Sequence, residues 1–165
     1  MSIPSSQPDL HILVALVENK FGVLARIAGL FSRRSFNIFS LAVAPTDDPA
    51  RSRITIVVDV QDTDVEQIAK QLNKLINVLE ITELHPSAAV EQELMLARVA
   101  GADPAGIEEV INEYGGQVVD RNDGEMIVSV HAHPSDLDAC EDTLRRFGIH
   151  ELQRTGRIAL GRLTD

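Results

Sequence analysis

Residues with reactive or aromatic side chains are scarce in this sequence. The chain of 165 residues has one cysteine, Cys140, no tryptophan and only 4% aromatic residues. A single cysteine cannot form an internal disulfide. Because Cys140 lies at helical spacing from Leu137, Leu144 and Phe147, we expect it to be a buried core residue and not a nucleophile.

Positively charged residues are also fewer than negatively charged ones. The chain has 15 Lys and Arg against 25 Asp and Glu, and its formal net charge is −10. Such an acidic protein repels polyanions. The few aromatic residues also leave little to stack on nucleic-acid bases. We therefore expect no nucleic-acid partner.

Long hydrophobic runs are absent as well. The longest run, about six residues from Ile12 to Val17, is far shorter than the roughly 20 residues that a membrane-spanning helix requires. Residues 1–9 are polar and lack an apolar segment, so we expect a flexible tail and not a signal peptide. The sequence thus predicts a cytoplasmic protein with no membrane partner.

Candidates for catalytic or metal-binding groups are weak. Asp47 and Asp48 lie between two prolines, which is typical of a solvated turn and not of an acid–base pair. His131 and His133 could share one face of a strand, but no third ligand follows at a convincing spacing. We expect no catalytic residue and no metal site in this chain.

The sequence does contain one order of elements that occurs twice. In the first half, apolar periodicity predicts a strand at 11–17, a helix at 22–34, strands at 37–44 and 53–60, a helix from 63 and a strand at 77–84. This β-α-β-β-α-β order is typical of the ferredoxin-like fold. RNA-binding RRM domains share it, but the negative charge and the scarcity of aromatic residues disfavour that class.

A second, looser copy follows His85. Its predicted elements are a strand at 90–99, a helix opened by Asp103 and Pro104, strands at 117–121 and 125–131, a helix from Pro134 that ends at Gly148, and a strand within 149–163. Asn122-Asp123-Gly124 predicts a hairpin turn with glycine at positive φ.

These patterns predict an α+β protein made of two ferredoxin-like βαββαβ units. We place the first domain at 10–85, a linker at 86–89 and the second domain at 90–165. Units of about 75 residues bury a small share of their surface. A sheet with both helices on one face also leaves its other face and its edges uncovered. We therefore expect a homodimer.

The segment 18–27, together with Asn37 and Ile38, is the most informative part of the chain. It predicts a strand, a glycine turn at Gly22 and a helix start whose N–H groups can hold a carboxylate. An asparagine side chain can accept a hydrogen bond from an ammonium group. From spacing alone, a purely structural turn with a strand cap at Asn37 is the favoured interpretation.

The wider pattern of residues resembles a known family. The motif comprises Glu18, Asn19, Gly22, Val23, Leu24 and Arg26, then Phe36, Asn37, Ile38, Ser40 and Leu41, and near the C-terminus Thr155, Gly156, Ala159, Leu160 and Arg162. In this combination the chain resembles the regulatory small subunit of acetolactate synthase, also called acetohydroxyacid synthase. The likeness spans nearly everything after residue 10.

The resemblance implies a fold and a function. Family members have an N-terminal ACT domain and a related C-terminal domain, and they form dimers. They bind a separate catalytic large subunit, raise its activity and confer allosteric feedback inhibition by branched-chain amino acids, of which we expect valine here. Thiamine diphosphate, Mg and FAD are expected only in that catalytic partner, and no cofactor is expected in this chain.

The resemblance also implies which residues bind the effector. These lie at an interface between ACT domains and are Asn19, Gly22, Val23, Leu24, Asn37 and Ile38. The chain departs from the family pattern at Ser35, where glycine is usual, and at Phe39, where an acidic residue is common. An alternative function is a free-standing amino-acid-sensing ACT protein that regulates a different client.

Overall fold

A computed structural model describes residues 10–60 and 62–163, except for the side chains of residues 62 and 63. The chain divides into two compact units. Unit 1 contains the residues up to Val90 and those from Ala159 onwards, and unit 2 runs from Glu91 to Ile158. The predicted tail, residues 1–9, lies outside the described residues. None of the described helices has the length and apolar character needed to span a membrane.

Unit 1 is an antiparallel sheet with two helices. Its elements are β1 (Leu10–Glu18), α1 (Val23–Arg33), β2 (Ile38–Pro45), β3 (Arg51–Asp59), α2 (Asp62–Leu72) and β4 (Val78–Leu84). The strand order is β2-β3-β1-β4. The predicted α+β class and βαββαβ order are confirmed, with element bounds within two residues of the predicted ones.

The alternation of apolar residues along the strands of unit 1 creates two buried layers. Leu13, Ala15 and Val17 of β1 pack with the apolar stripes of α1 and α2, including Ile27 and Ile68. This pattern follows from the two-residue period of a strand and the 3.6-residue period of a helix.

The opposite face of the same sheet carries a smaller cluster. Ile12, Val14 and Val57 are buried there with Ala89 and Ala159. The sequence assigns residues 86–89 to a linker and residues from 159 onwards to the second domain, but in the structure both segments group with unit 1. Burial of the two alanines on this face is the physical reason.

Unit 2 repeats the architecture of unit 1. Its elements are β5 (Ala89–Ala100, which starts in unit 1), α3 (Pro104–Glu113), β6 (Gln117–Arg121), β7 (Glu125–Ala132), α4 (Pro134–Leu144) and β8 (Ile149–Arg154), and the chain ends with β9 (Ile158–Gly161). The strand order is β6-β7-β5-β8, and β9 also pairs with β5. The single strand predicted within 149–163 is thus two strands, separated by a turn in which Gly156 has a φ of 87°.

Two local predictions in unit 2 have different outcomes. Cys140 is fully buried in the core, as predicted, and burial raises the pKa of its thiol to about 11. The hairpin at 122–124 forms, but Gly124 does not adopt a positive φ. The side-chain carbonyl of Asn122 shapes this turn instead, because it accepts N–H groups from Gly124 and Glu125, both at 2.8 Å.

Candidate effector site

The turn between β1 and α1 leaves the start of the helix open. Gly22 precedes the helix with a left-handed backbone, φ 81° and ψ −6°, which residues with a side chain seldom adopt. No described side chain caps this helix, and its first turn carries no acidic residue. The first N–H groups of a helix have no partner within it, and the helix dipole adds partial positive charge there. The N–H of Val23 donates to the carbonyl of Lys20 at 3.4 Å, so the N–H groups of Leu24 and Ala25 are those left to hold a carboxylate.

Asn19 holds this turn against a neighbouring loop. Its side-chain amide donates to the carbonyl of Pro49 at 2.9 Å, and its backbone N–H donates to the carbonyl of Ala50 at 2.8 Å. The Asn19 amide group thus has a structural partner, and its side-chain oxygen is the atom that remains for a ligand.

The apolar residues of the turn lie in different environments. Val23 is only 5% exposed and packs in the core of unit 1, so its side chain cannot line an external slot. Leu24 is 43% exposed at the same helix end, and Phe21 is fully exposed. Of the apolar residues predicted in this turn, Leu24 is therefore the one that offers its side chain to a ligand.

Asn37 and Ile38 lie where β2 begins. Asn37 is exposed, and among residues 10–60 and 62–163 none hydrogen-bonds its side chain. Ile38 is half-buried against the core. The Asn37 amide is thus available to an outside partner, with one apolar residue beside it.

The antiparallel sheet separates the predicted residues into two groups. Glu18, just before the glycine turn, pairs with Arg51 of β3, whereas Ile38 pairs with Val58 of the same strand. These two positions on β3 are seven residues apart, which corresponds to roughly 23 Å at about 3.3 Å per residue. A single bound amino acid is too short to span that distance. One chain therefore does not bring Asn19, Gly22 and Leu24 together with Asn37.

A network of polar side chains beside the turn was not predicted from the sequence. The Glu18 carboxylate accepts from the Asn77 amide at 2.5 Å and from Lys20 at 3.1 Å. The Asn77 side-chain carbonyl accepts from Arg26 at 2.8 Å. The hydrogen bond from Asn77, followed by that from Lys20, lowers the pKa of Glu18 despite an opposing effect of desolvation. Asn77 is 59 residues from Glu18 in the chain, so no local motif could indicate this contact.

Two of the other residues considered from the sequence, Asp48 and His133, have local structural partners. Asp48 accepts the N–H of Ala50 at 2.9 Å, as expected of a turn residue. The ring of His133 lies 2.8 Å from the Ser135 hydroxyl at the start of α4. In the part of the chain that the structure describes, no three His, Cys, Asp or Glu side chains are grouped so as to hold a metal ion.

The fold and this open helix end define an ACT-type regulatory module followed by a second unit of the same architecture. Residues 13–80 match the family described as the acetohydroxyacid synthase small subunit-like ACT domain. Residues 92–163 match the family described as the small subunit of acetolactate synthase. The chain therefore belongs to the acetolactate synthase small subunit family.

Individual relatives agree over almost the whole chain. The probable acetolactate synthase small subunit of Methanothermobacter thermautotrophicus is 43% identical over 159 residues, covering 94% of this chain and 95% of the relative. The acetolactate synthase small subunit of Mycobacterium bovis is 44% identical over 157 residues, covering 94% of each chain. The crystal structure of the acetolactate synthase small subunit from Thermotoga maritima superimposes with a TM-score of 0.88 at 33% identity, covering 94% of this chain and 99% of that one.

Proposed function

We propose that this chain is the non-catalytic regulatory subunit of an acetolactate synthase. It binds a large catalytic subunit, raises the activity of that subunit and makes it sensitive to feedback inhibition by a branched-chain amino acid, valine above all. Family membership over both units supports this proposal. Thiamine diphosphate, Mg and FAD belong to the catalytic partner, and this chain contributes regulation alone.

The chemistry of the turn in unit 1 suits such an effector. The open start of α1 holds the α-carboxylate, and the exposed Leu24 packs against the branched side chain. Asn37, which has no partner among the described residues, accepts from the α-ammonium. Ile38 adds apolar surface beside it.

The separation of the two groups along β3 supports a site shared between two copies of the chain. In a homodimer whose unit 1 copies are related by a two-fold axis, the helix start of one protomer can lie beside Asn37 of its partner. Each dimer then has two equivalent effector sites. Effector binding favours one arrangement of the dimer and so shifts the catalytic subunit between a more active and a less active state.

An activity assay tests the proposal directly. The purified chain is mixed with an acetolactate synthase catalytic subunit, and pyruvate condensation is measured with and without valine, leucine and isoleucine. We expect activation by the chain alone and inhibition when valine is added. If a branched-chain amino acid binds the chain but the catalytic subunit neither binds nor responds, the free-standing sensor is the correct interpretation.

Mixed dimers test whether two copies share the site. Leu24→Asp places a negative charge where the carboxylate binds, and Asn37→Ala removes the acceptor for the ammonium. Each variant alone binds valine more weakly than the wild type. A dimer formed from one copy of each has one intact site and one doubly altered site, so calorimetry should find about half of the wild-type stoichiometry. Leu24→Asn, neutral and similar in size, is the matched control for the charge. No recovery in the mixed dimer would show that each site belongs to one chain.

A further inference from the structure

Asn77 contacts both ends of the β1–α1 turn. Its backbone carbonyl accepts the N–H of Glu18 at 2.9 Å, and its side-chain amide donates to the Glu18 carboxylate at 2.5 Å. Its side-chain carbonyl accepts from Arg26 at 2.8 Å. Glu18 ends β1 and Arg26 lies in the first turns of α1, so a single residue holds the two flanks of the segment that contains Gly22 and Leu24.

This segment needs external support. The left-handed Gly22 is conformationally permissive, and the neighbouring Phe21 is fully exposed and adds no packing. Arg26 also carries positive charge near a helix N-terminus, where the dipole disfavours a cation. The side-chain oxygen of Asn77 accepts from Arg26 and so offsets part of that cost. Together with the Asn19 contacts to Pro49 and Ala50, Asn77 leaves the turn little freedom.

We infer that Asn77 is a positioning residue of the effector site, which pre-orders the β1–α1 turn through Glu18 and Arg26 so that the first N–H groups of α1 are aligned for the carboxylate. This inference rests on the proposed function, because it concerns the same site. A turn that is ordered before binding does not lose conformational freedom when the ligand arrives. Asn77 thus contributes to effector affinity without touching the effector.

Two substitutions in the same loop separate positioning from general stability. Asn77→Ala removes both side-chain contacts. Asn73→Ala is the matched control, because the exposed side chain of Asn73 hydrogen-bonds no described residue and its backbone bond to Ala69 is kept. With full-length dimers, we expect Asn77→Ala to weaken valine binding roughly five- to tenfold in calorimetry, while Asn73→Ala stays within about twofold. A residue that only stabilised the fold would lower the melting temperature and leave the Kd of the folded protein unchanged, and that result would overturn the inference.

A conservative variant and a ligand-free measurement complete the test. Asn77→Asp keeps an acceptor for Arg26 but places a second carboxylate against that of Glu18, so valine should bind at least as weakly as it does to Asn77→Ala. Amide exchange of residues 19–24, measured by NMR without valine, should be faster in Asn77→Ala and unchanged in Asn73→Ala. If the wild-type chain binds no branched-chain amino acid, the proposed function fails, and the exchange rates alone then decide whether Asn77 orders the turn. Equal exchange rates in wild type and Asn77→Ala would overturn the inference in either case.

Discussion

The first helix of unit 1 begins differently from the helices of unit 2. In unit 1, α1 follows Gly22 and no described side chain caps its N–H groups. In unit 2, Asp103 caps α3 by accepting the N–H of Gly106 at 3.0 Å, and the ring of His133 accepts the N–H of Ser135 at 3.3 Å at the start of α4. A capped helix end satisfies its own donors, whereas the open end keeps donors for an outside anion. This difference supports the proposal that the effector binds to unit 1.

Charged groups also lie at different depths in the two units. In unit 2, Glu93 is only 6% exposed and pairs with Arg154 at 2.6 Å. Burial alone lowers the pKa of the Arg154 guanidinium, but hydrogen bonds to Glu93 and Asp138 outweigh it and raise that pKa overall. The buried polar residues described in unit 1 are the uncharged Ser52 and Thr55. Unit 2 therefore contains buried carboxylates, one of them in an ion pair with Arg154. In unit 1, the charged groups at the β1–α1 turn, such as Glu18 and Lys20, lie at the surface.

The largest expected effect is on stability in unit 2. Arg154→Met leaves the buried Glu93 without its cation, which should cost about 3–5 kcal/mol in the free energy of unfolding, measured by denaturant titration. Arg98→Met is the matched control in the same sheet, because Arg98 pairs with Glu151 on the exposed surface at 3.3 Å, and it should cost less than about 1 kcal/mol. If both variants lost the same free energy of unfolding, the buried ion pair would contribute no more to stability than the surface pair.

The next effect is on ligand binding in unit 1. Asn37→Ala should weaken valine binding by about 1.5–3 kcal/mol, since it removes a hydrogen bond to a charged group. Calorimetry measures this loss directly. Asn112→Ala alters an exposed asparagine of unit 2 and should leave the affinity unchanged. Unchanged valine affinity in Asn37→Ala would refute the role given to this residue.

A smaller effect is expected at the capped helix of unit 2. Asp103→Ala removes the cap of α3 and should cost about 1 kcal/mol of stability. It should not alter valine affinity, because α3 has no part in the proposed site. Thermal unfolding and calorimetry on the same sample separate the two results. Weaker valine binding in this variant would mean that unit 2 takes part in effector recognition.

The smallest effect is at the end of α1. Ser35 has a φ of 57° and is the one non-glycine residue with positive φ among those described, whereas α3 of unit 2 is followed by Gly115 with a φ of 68°. Ser35→Gly should therefore stabilise the protein by about 1 kcal/mol, and Gly115→Ser should destabilise it by a similar amount. An added Cβ at Gly115 meets nothing within 4 Å, so the comparison measures backbone strain alone. A loss of stability in Ser35→Gly, or a gain in Gly115→Ser, in denaturant titrations would contradict this account.

The elements could be predicted from the sequence because their signals are local. Apolar alternation in β1 and β3 and helical spacing in α1 are properties of short segments. The sequence predicts one strand within 149–163, where the structure has β8 and β9. Local signals do not separate the two, because β9 pairs with β5, which is far away in sequence. The return of Ala159 to unit 1 depends on the same long-range contact.

The candidate site was only partly predictable for the same reason. Gly22 and Leu24 were found because a turn and a helix start are local features. The burial of Val23 depends on how α1 is rotated against the sheet. The distance between Gly22 and Asn37 depends on strand register, and Asn77 reaches Glu18 only through the folded chain.

The return of the C-terminal residues to unit 1 has a consequence for biosynthesis. Ile12, Val14 and Val57 are translated early, yet Ala159, which is buried with them, is translated only after unit 2. Every residue of unit 2 emerges before unit 1 is complete. Until Ala159 has been added, these three apolar side chains lack part of their cover, which is a risk for aggregation. A premature stop codon just upstream of Ala159 would damage the half of the protein that was made first.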